Sequence, residues 1–344
     1  MTSRERVRAA LTFSHPDHPP RDLWVLPYVQ LFRRRELDGL LARYPSDISR
    51  PELSPGSDDE DLRKLERAGR YVDEWGSVWH VGEPGVIGEV KTPAVAEWSR
   101  LRTFTPPWEF LRRRNWDHVN RMCDRTDSFM VSGVCARPFE RLQFLRGSEQ
   151  LYMDLAEGSS ELRSLLSMVH EYYCEDVKAW ARSHVDAVSL MDDWGSNSSL
   201  LISPNTWRTL FKPLYRDYCD IIRKAGKFVF FHSDGNIEAI YGDFVELGVH
   251  AINSQLFCMD IERLGALYRG RICFWGEIDR QQVLPYGSPE EVRQAVLRVR
   301  RALEDPAGGV IAQCEWGKDN PSENIEAVFA AWDEPIRPRM DGIS

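Results

Sequence analysis

The sequence predicts a (β/α)8 TIM barrel with an N-terminal extension and an inserted β-hairpin. Three observations carry that expectation. From Ser128 onward, strand and helix patterns alternate six times at βαβ spacing, with Gly-bounded strands and capped helices. Polar and metal-capable residues collect at the carboxyl ends of those strands, where barrels of this kind carry their active sites. No GxGxxG follows the first strand, so an open dinucleotide-binding sheet has no support. A single domain over 1–344 follows, with about 1–20 as N-terminal helix and lead-in and about 71–90 as the hairpin.

Ser3 opens a short amphipathic helix with Val7, Ala10 and Leu11 on one side, and His15-Pro16-Asp17-His18-Pro19-Pro20 ends it. Asp22 to Pro27 reads as the first strand and Val29 to Tyr44 as a helix carrying Arg33, Arg34 and Arg35, a solvated face. Residues 51–61 read as a surface loop. Tyr71 to Val90 alternates and turns at Gly82 and Pro84-Gly85, which predicts the hairpin. A helix follows from about Trp108 to Arg125, and one barrel strand is expected somewhere in residues 60–127. The next strands are Phe129 to Gly133 and Ala187 to Met191. Ser203-Pro204 starts a helix that runs to Ala225-Gly226. Lys227 to Asn236 is a short apolar run bounded by Gly226 and Gly235, the pattern of a strand buried on both faces. The remaining strands are His250 to Asn253, Ile272 to Trp275 and Gly309 to Cys314, and Ser322 to Trp332 is the last helix.

Composition narrows the class. The chain has 344 residues, 42% hydrophobic and 28% charged, which suits a globular fold with a sizeable core. A net charge of -9 argues against nucleic-acid binding, which needs a basic face. The seven Cys are scattered without a CxxC pair, so neither a zinc ribbon nor a redox motif is indicated. The first residues lack the apolar core of a signal peptide, and no apolar run reaches membrane-spanning length. A reducing cytoplasm is the expected home, with no membrane partner.

The strand ends carry Asp192, Asp193, His232, Asp234, Asn253, Gln255, Glu277, Asp279, Cys314 and Glu315. His232 and Asp234 are separated by one residue, so in an extended segment both aim at one point. A satisfied histidine beside a helix-capping Asp is the plain alternative. His232, Asp234 and Cys314 offer N, O and S ligands acceptable to zinc, and one carboxylate plus one thiolate balances its charge. Glu277 is the candidate fourth ligand or base. Asp192 and Asp193 point in opposite directions, so at most one faces the pocket, and an Asp bonding the loop backbone from Gly195 to Ser199 fits equally. Trp194, Phe257, Trp275 and Trp316 wall the mouth or pack the core, with Asn253 and Gln255 as substrate contacts.

Read together, these motifs resemble the uroporphyrinogen decarboxylase superfamily. The matching pieces are Thr2 to Val7, Asp73-Glu74-Trp75-Gly76, Met191-Asp192-Asp193-Trp194-Gly195 and the helix from Leu201 to Pro213. His232-Ser233-Asp234-Gly235-Asn236-Ile237, Trp275-Gly276-Glu277-Ile278-Asp279 and Pro321 to Ile325 complete the series. The resemblance implies a (β/α)8 barrel and one of two chemistries. Decarboxylases of the family act on a polycarboxylated tetrapyrrole without a cofactor and carry an Arg-rich motif after the first strand. Here Leu23 to Gln30 holds no Arg, and the first is Arg33. The zinc-dependent methyltransferases use His-x-Cys plus a distant Cys near the last strand. His232 and Cys314 match that pattern, while Asp234 replaces the first Cys and hardens the site, and Glu277 replaces a small Gly. The resemblance thus implies a zinc-dependent methyltransferase acting between a corrinoid or methylated small molecule and a thiol or folate acceptor. A decarboxylase or other lyase is the alternative, and a non-catalytic, corrinoid-binding protein the third reading. A small-molecule substrate follows, and a corrinoid protein partner and a homodimer stay open.

Overall fold

Short Gly-bounded apolar runs become strands, and the capped segments between them become helices, in a computed structural model that describes residues 1–335. Residues 336–344 of the expected single domain lie outside the described residues. In chain order the strands are β1 (Arg21–Val25), β2 (Ile48–Ser49), β3 (Gly69–Val72), β4 (Val78–Val81), β5 (Glu89–Thr92) and β6 (Phe129–Val134). They continue as β7 (Ala187–Met191), β8 (Phe228–Ser233), β9 (Ala251–Ser254), β10 (Cys273–Trp275) and β11 (Val310–Trp316).

Eight of them form one parallel sheet in the order β1-β11-β10-β9-β8-β7-β6-β2. Its two edges meet at Asp47, whose N–H donates to the Arg21 carbonyl and whose Oδ2 accepts the Arg21 N–H, each at 2.8 Å. Arg6, from the N-terminal helix Ser3–Leu11, holds the other oxygen of Asp47. The result is a nearly closed (β/α)8 barrel with helices outside it. The barrel strand expected within 60–127 is instead β2, at 48–49. Two residues are too few to leave a periodic pattern.

The strands within 60–127 are β3, β4 and β5, and they make a separate antiparallel sheet in which the expected hairpin gains a third strand. The unforeseen turn is tied by Asp73, which accepts the N–H groups of Trp75 and Ser77 and the indole N–H of Trp79. Other expectations change in detail. The helix after β1 breaks at Arg33, and the loop over 51–61 contains the start of a short helix, Ser57–Arg63. Ser203 caps its helix as expected, through an N–H bond from Thr206, and Ser288 forms a capping box with Glu291.

Strand alternation divides the core in two. Phe129, Ala187, Phe230, Ala251, Cys273, Trp275 and Ile311 fill the lumen. Val188, Leu190, Val229, Phe231, Phe274, Ala312 and Cys314 pack outward against the helices. Each strand therefore carries one lumen-facing set and one helix-facing set, and the lumen-facing set runs on to the barrel mouth. Among the described residues, no helix is long and apolar enough to cross a membrane.

At the mouth, the turn after β8 packs directly on the turn after β7. A Cβ on Gly235 would lie 2.2 Å from the Gly195 carbonyl, and the Gly235 φ is +74°. Gly235→Ala is therefore expected to cost about 2–5 kcal/mol, from left-handed strain plus the clash. Urea denaturation with unchanged slope would measure it. A loss below about 1 kcal/mol would mean that the two turns move apart easily.

Candidate functional site

Lumen parity delivers one set of side chains to a cavity of about 920 Å³ at the carboxyl ends of the strands. Phe228, Phe230, His232 and Asp234 share one side of β8, and Ala187, Ser189, Met191 and Asp193 share one side of β7. Below His232 lies an aromatic floor. The Trp24 ring centroid is 4.9 Å from the imidazole, and Trp24 meets Trp275 edge-on at 5.2 Å. Both indole N–H groups donate to Asp22 Oδ2 at 2.9 Å, so the floor is fixed from beneath.

Asn253 sets the orientation of His232. Its amide nitrogen donates to the Trp275 carbonyl and to Gln313 Oε1, which turns Oδ1 toward His232 Nδ1 at 2.6 Å. Nδ1 therefore carries a proton and Nε2 faces the cavity. Nε2 lies 3.3 Å from Asp234 Oδ1 and 3.6 Å from Asp193 Oδ1. Asp193 Oδ1 also accepts the Asp234 N–H at 2.9 Å. Asp234 Oδ2 pairs with the Arg280 guanidinium, but Oδ1 is buried and has no hydrogen-bond partner, its approach to Nε2 being an ion-pair distance without hydrogen-bond alignment. The ligand atoms of Asp193, His232 and Asp234 all lie within 4.8 Å of one another.

Arg280 joins three carboxylates: Asp234, Glu277 at 3.3 Å and Glu315 at 3.0 Å. The charges move the acidities far from their ordinary values. Burial alone would lower the His232 pKa, but the Asp234 contact and the charges of Asp193 and Asp234 outweigh it and raise it to about 9. Burial would raise Asp234, yet His232 and Arg280 bring it down to about 2. Glu277 is pushed up to about 8, mainly by burial, with Arg280 opposing and Asp234 and Glu315 adding to the rise.

The other expected site residues divide by parity. Asp192 faces the helices. It accepts the N–H groups of Phe139 and Glu140 at 2.9 and 2.8 Å and the Tyr215 hydroxyl, so it anchors the helix Pro138–Arg146 rather than the loop Gly195 to Ser199. Trp194 stacks on Phe139 at 4.3 Å and is fully buried, away from the mouth. Trp316 packs on the helix side beneath Arg33, while Trp275 is the lumen floor. Gln255 accepts the Gly235 N–H at 2.6 Å and so supports the turn that carries Asp234. Cys314 corrects the expected ligand set. It lies on the helix face of β11 with Ala312 and Trp316, fully buried, and is not brought together with His232 and Asp234. Asp193, the other candidate of the Asp192-Asp193 pair, is the one that faces the cavity, beside His232 and Asp234. Gln313 and Glu315, the two polar residues of an otherwise apolar strand and two positions apart, are the signal for which face of β11 looks into the lumen. Arg280 and Glu140 were missed: one follows the strand-end motif by a residue, the other sits in a helix first turn.

The sequence profile of the uroporphyrinogen decarboxylase (URO-D) family matches residues 84–335. The chain belongs to the uroporphyrinogen decarboxylase family. No curated protein matches the sequence significantly. Among solved structures, a methyltransferase from Methanosarcina mazei superposes with a TM-score of 0.70 at 17% identity, covering 97% of this chain and 98% of its own. At that identity the likeness shows the shared barrel fold. An endo-beta-1,4-xylanase from Gloeophyllum trabeum follows at TM-score 0.40 and 10% identity, over 69% of this chain and 90% of its own. A Yersinia pestis DHPS gives TM-score 0.38 and 9% identity, over 91% and 92%.

The raised His232 pKa has a definite sign in stability. Folding favours the imidazolium, so the contribution is complete below the unfolded value near 6.5 and is lost as pH rises through about 9. Metal-free wild type compared with His232→Gln should show a stability advantage that shrinks across that window. An advantage that stays constant or grows between pH 6.5 and 9 would contradict the two-carboxylate environment.

Proposed function

We propose that this protein is a metal-dependent methyltransferase of the uroporphyrinogen decarboxylase family, with Asp193, His232 and Asp234 as the ligands of a zinc ion. The observation that carries the reading is the donor set: an imidazole nitrogen and two carboxylate oxygens converging, one of those oxygens buried without a hydrogen-bond partner. Two carboxylates and a neutral imidazole balance a divalent charge, and three protein ligands leave a position open for chemistry. Asn253 supplies the hydrogen bond that metal-binding histidines make through their second nitrogen. Replacement of thiolates by carboxylates makes this a harder site than the His-x-Cys pattern of the resemblance implied.

When bound, zinc would supply Lewis acidity that lowers the pKa of an acceptor thiol or of a folate nitrogen. The protein's own groups do the rest. Asn253 keeps the Nδ1 proton in place, so Nε2 stays aimed at the cation. Arg280 holds Asp234 by the oxygen not facing His232. Glu277, protonated near neutrality, contacts Arg280 from outside the cavity lining and so helps to place the guanidinium that holds Asp234. Trp24 and Trp79 give the cavity apolar walls. The methyl group would come from a corrinoid, on a partner protein, or from a methylated small molecule. The methyltransferase function of the Methanosarcina mazei protein favours this branch.

A lyase reading draws on a different observation. Arg50, Arg137 and Arg280 line the cavity, so cations are present although none follows the first strand. With His232 as an imidazolium between carboxylates, the same site would donate a proton to a carbanion left by decarboxylation.

Metal analysis of the purified protein separates the two. About one zinc per chain is expected. It should be lost in His232→Ala and Asp234→Ala, be held about 10–100-fold more weakly in Asn253→Ala and be retained in Cys314→Ala. A wild type that takes up no zinc when supplied with it would sink the metal site and turn the search to carboxylated substrates.

A further inference from the structure

Across the same cavity, two charged side chains are left over by the site described above. Arg137 is the N-cap residue of the helix Pro138–Arg146, and Glu140 lies in its first turn. Both line the cavity. Glu140 is 8% exposed, and its Oε2 is buried without a hydrogen-bond partner. Native proteins satisfy nearly all such atoms, and of those left without a partner among the described residues only Glu140 Oε2 and Asp234 Oδ1 belong to side chains lining this cavity, which points to a group that arrives with a ligand. The helix cannot help, because Asp192 already takes the N–H groups of Phe139 and Glu140. Burial accordingly pushes the Glu140 carboxyl up to about 7, with Arg137 pulling it down and Asp193 pushing it further up.

Arg137 is unmatched in the opposite sense. The other two cavity arginines are taken. Arg280 holds three carboxylates, and Arg50 lies 3.5 Å from Asp22 with its guanidinium over the Trp24 and Trp275 rings. Arg137 has no carboxylate within 4 Å among the described residues, Glu140 included. Its guanidinium lies 5.5 Å from the Phe144 ring centroid, which orders the side chain without neutralising it. An unpaired cation and an unpaired carboxyl thus sit one helical turn apart on one wall, too far apart to satisfy each other. A ligand that bridges them must offer a negative group to one and a hydrogen-bond donor to the other.

We propose that Arg137 and Glu140 form a head-group subsite for a substrate carboxylate with an adjacent hydrogen-bond donor, a 2-hydroxy or 2-amino acid end. The body of the substrate then runs along the apolar wall of Trp24, Trp79 and Met191 toward His232. The subsite rests on the reading of this cavity as the substrate site, but not on the metal or the reaction.

The test uses small aromatic probes of defined chemistry, titrated by calorimetry into EDTA-treated full-length protein. Mandelate carries carboxylate and hydroxyl, phenylglycine carboxylate and ammonium, phenylacetate the carboxylate alone, and mandelamide the hydroxyl with a neutral amide in place of the carboxylate. Mandelate or phenylglycine should bind about tenfold more tightly than phenylacetate and mandelamide, and the tighter of the two names the donor. Glu140→Leu should erase the advantage over phenylacetate, Arg137→Gln the advantage over mandelamide, and Arg50→Gln neither. The wild-type comparison needs no variant, so a misfolded Glu140→Leu leaves the test intact. Equal binding of all four probes, or none, overturns the subsite, as does discrimination that survives both variants. His232→Ala should keep the discrimination. If it appears only with zinc bound and vanishes in His232→Ala, the carboxylate sits on the metal centre, and the subsite falls while the metal reading stands.

Discussion

Four carboxylates, Asp193, Asp234, Glu277 and Glu315, are gathered at the mouth of this barrel, and their mutual repulsion has to be met by cations. Arg280 and His232 meet it. A guanidinium is the suitable partner on one side, because its planar fork can hold several oxygens at once and it does not lose its charge on burial. On the other side the imidazole works as a titratable cation that faces Asp193 and Asp234. The arrangement divides the two oxygens of Asp234 between these partners, and so fixes the carboxylate along the line from Arg280 to His232. Everything nearby is built to keep that line straight. Asn253 locks the imidazole, Gln255 braces the turn, and the Gly195–Gly235 contact sets how near β7 and β8 bring their ends.

Strand parity is the second constraint, and it sorts residues that look equivalent in the sequence. Asp192 and Asp193 are neighbours with opposite duties: one anchors a helix, the other faces the cavity. Cys314 and Glu315 are split in the same way, which takes the thiol out of the lumen and puts a carboxylate in. The consequence reaches the chemistry, because the donor set at the mouth becomes nitrogen and oxygen without sulfur.

Much of the fold was legible because each barrel strand after Ser128 is a short apolar run between a helix end and a polar tip, with Ser or Asp caps marking the next helix. β2 was not, since two residues held by a side-chain seam at Asp47 carry no pattern. The pairing of His232 with Asp234 was legible from spacing alone. The placement of Cys314 was not, because Val310 to Trp316 is almost wholly buried on both faces and only the polar Gln313 and Glu315 hint at which face is the lumen. Arg280 and Glu140 act through distances between separate segments, which no single stretch of sequence reveals.

The sheet of β3, β4 and β5 sits in the long passage between the second and third barrel strands, and Trp79, Ile87 and Glu89 from it close one side of the cavity. The groups proposed to react come from later stretches, β7 to β11 and the turns that follow them. This part of the wall and the groups proposed to react are thus encoded on separate stretches of the chain. Insertions, deletions or recombination within the roof would reshape which molecules fit without disturbing the histidine and its carboxylates. A barrel built this way can change its diet while keeping its reaction.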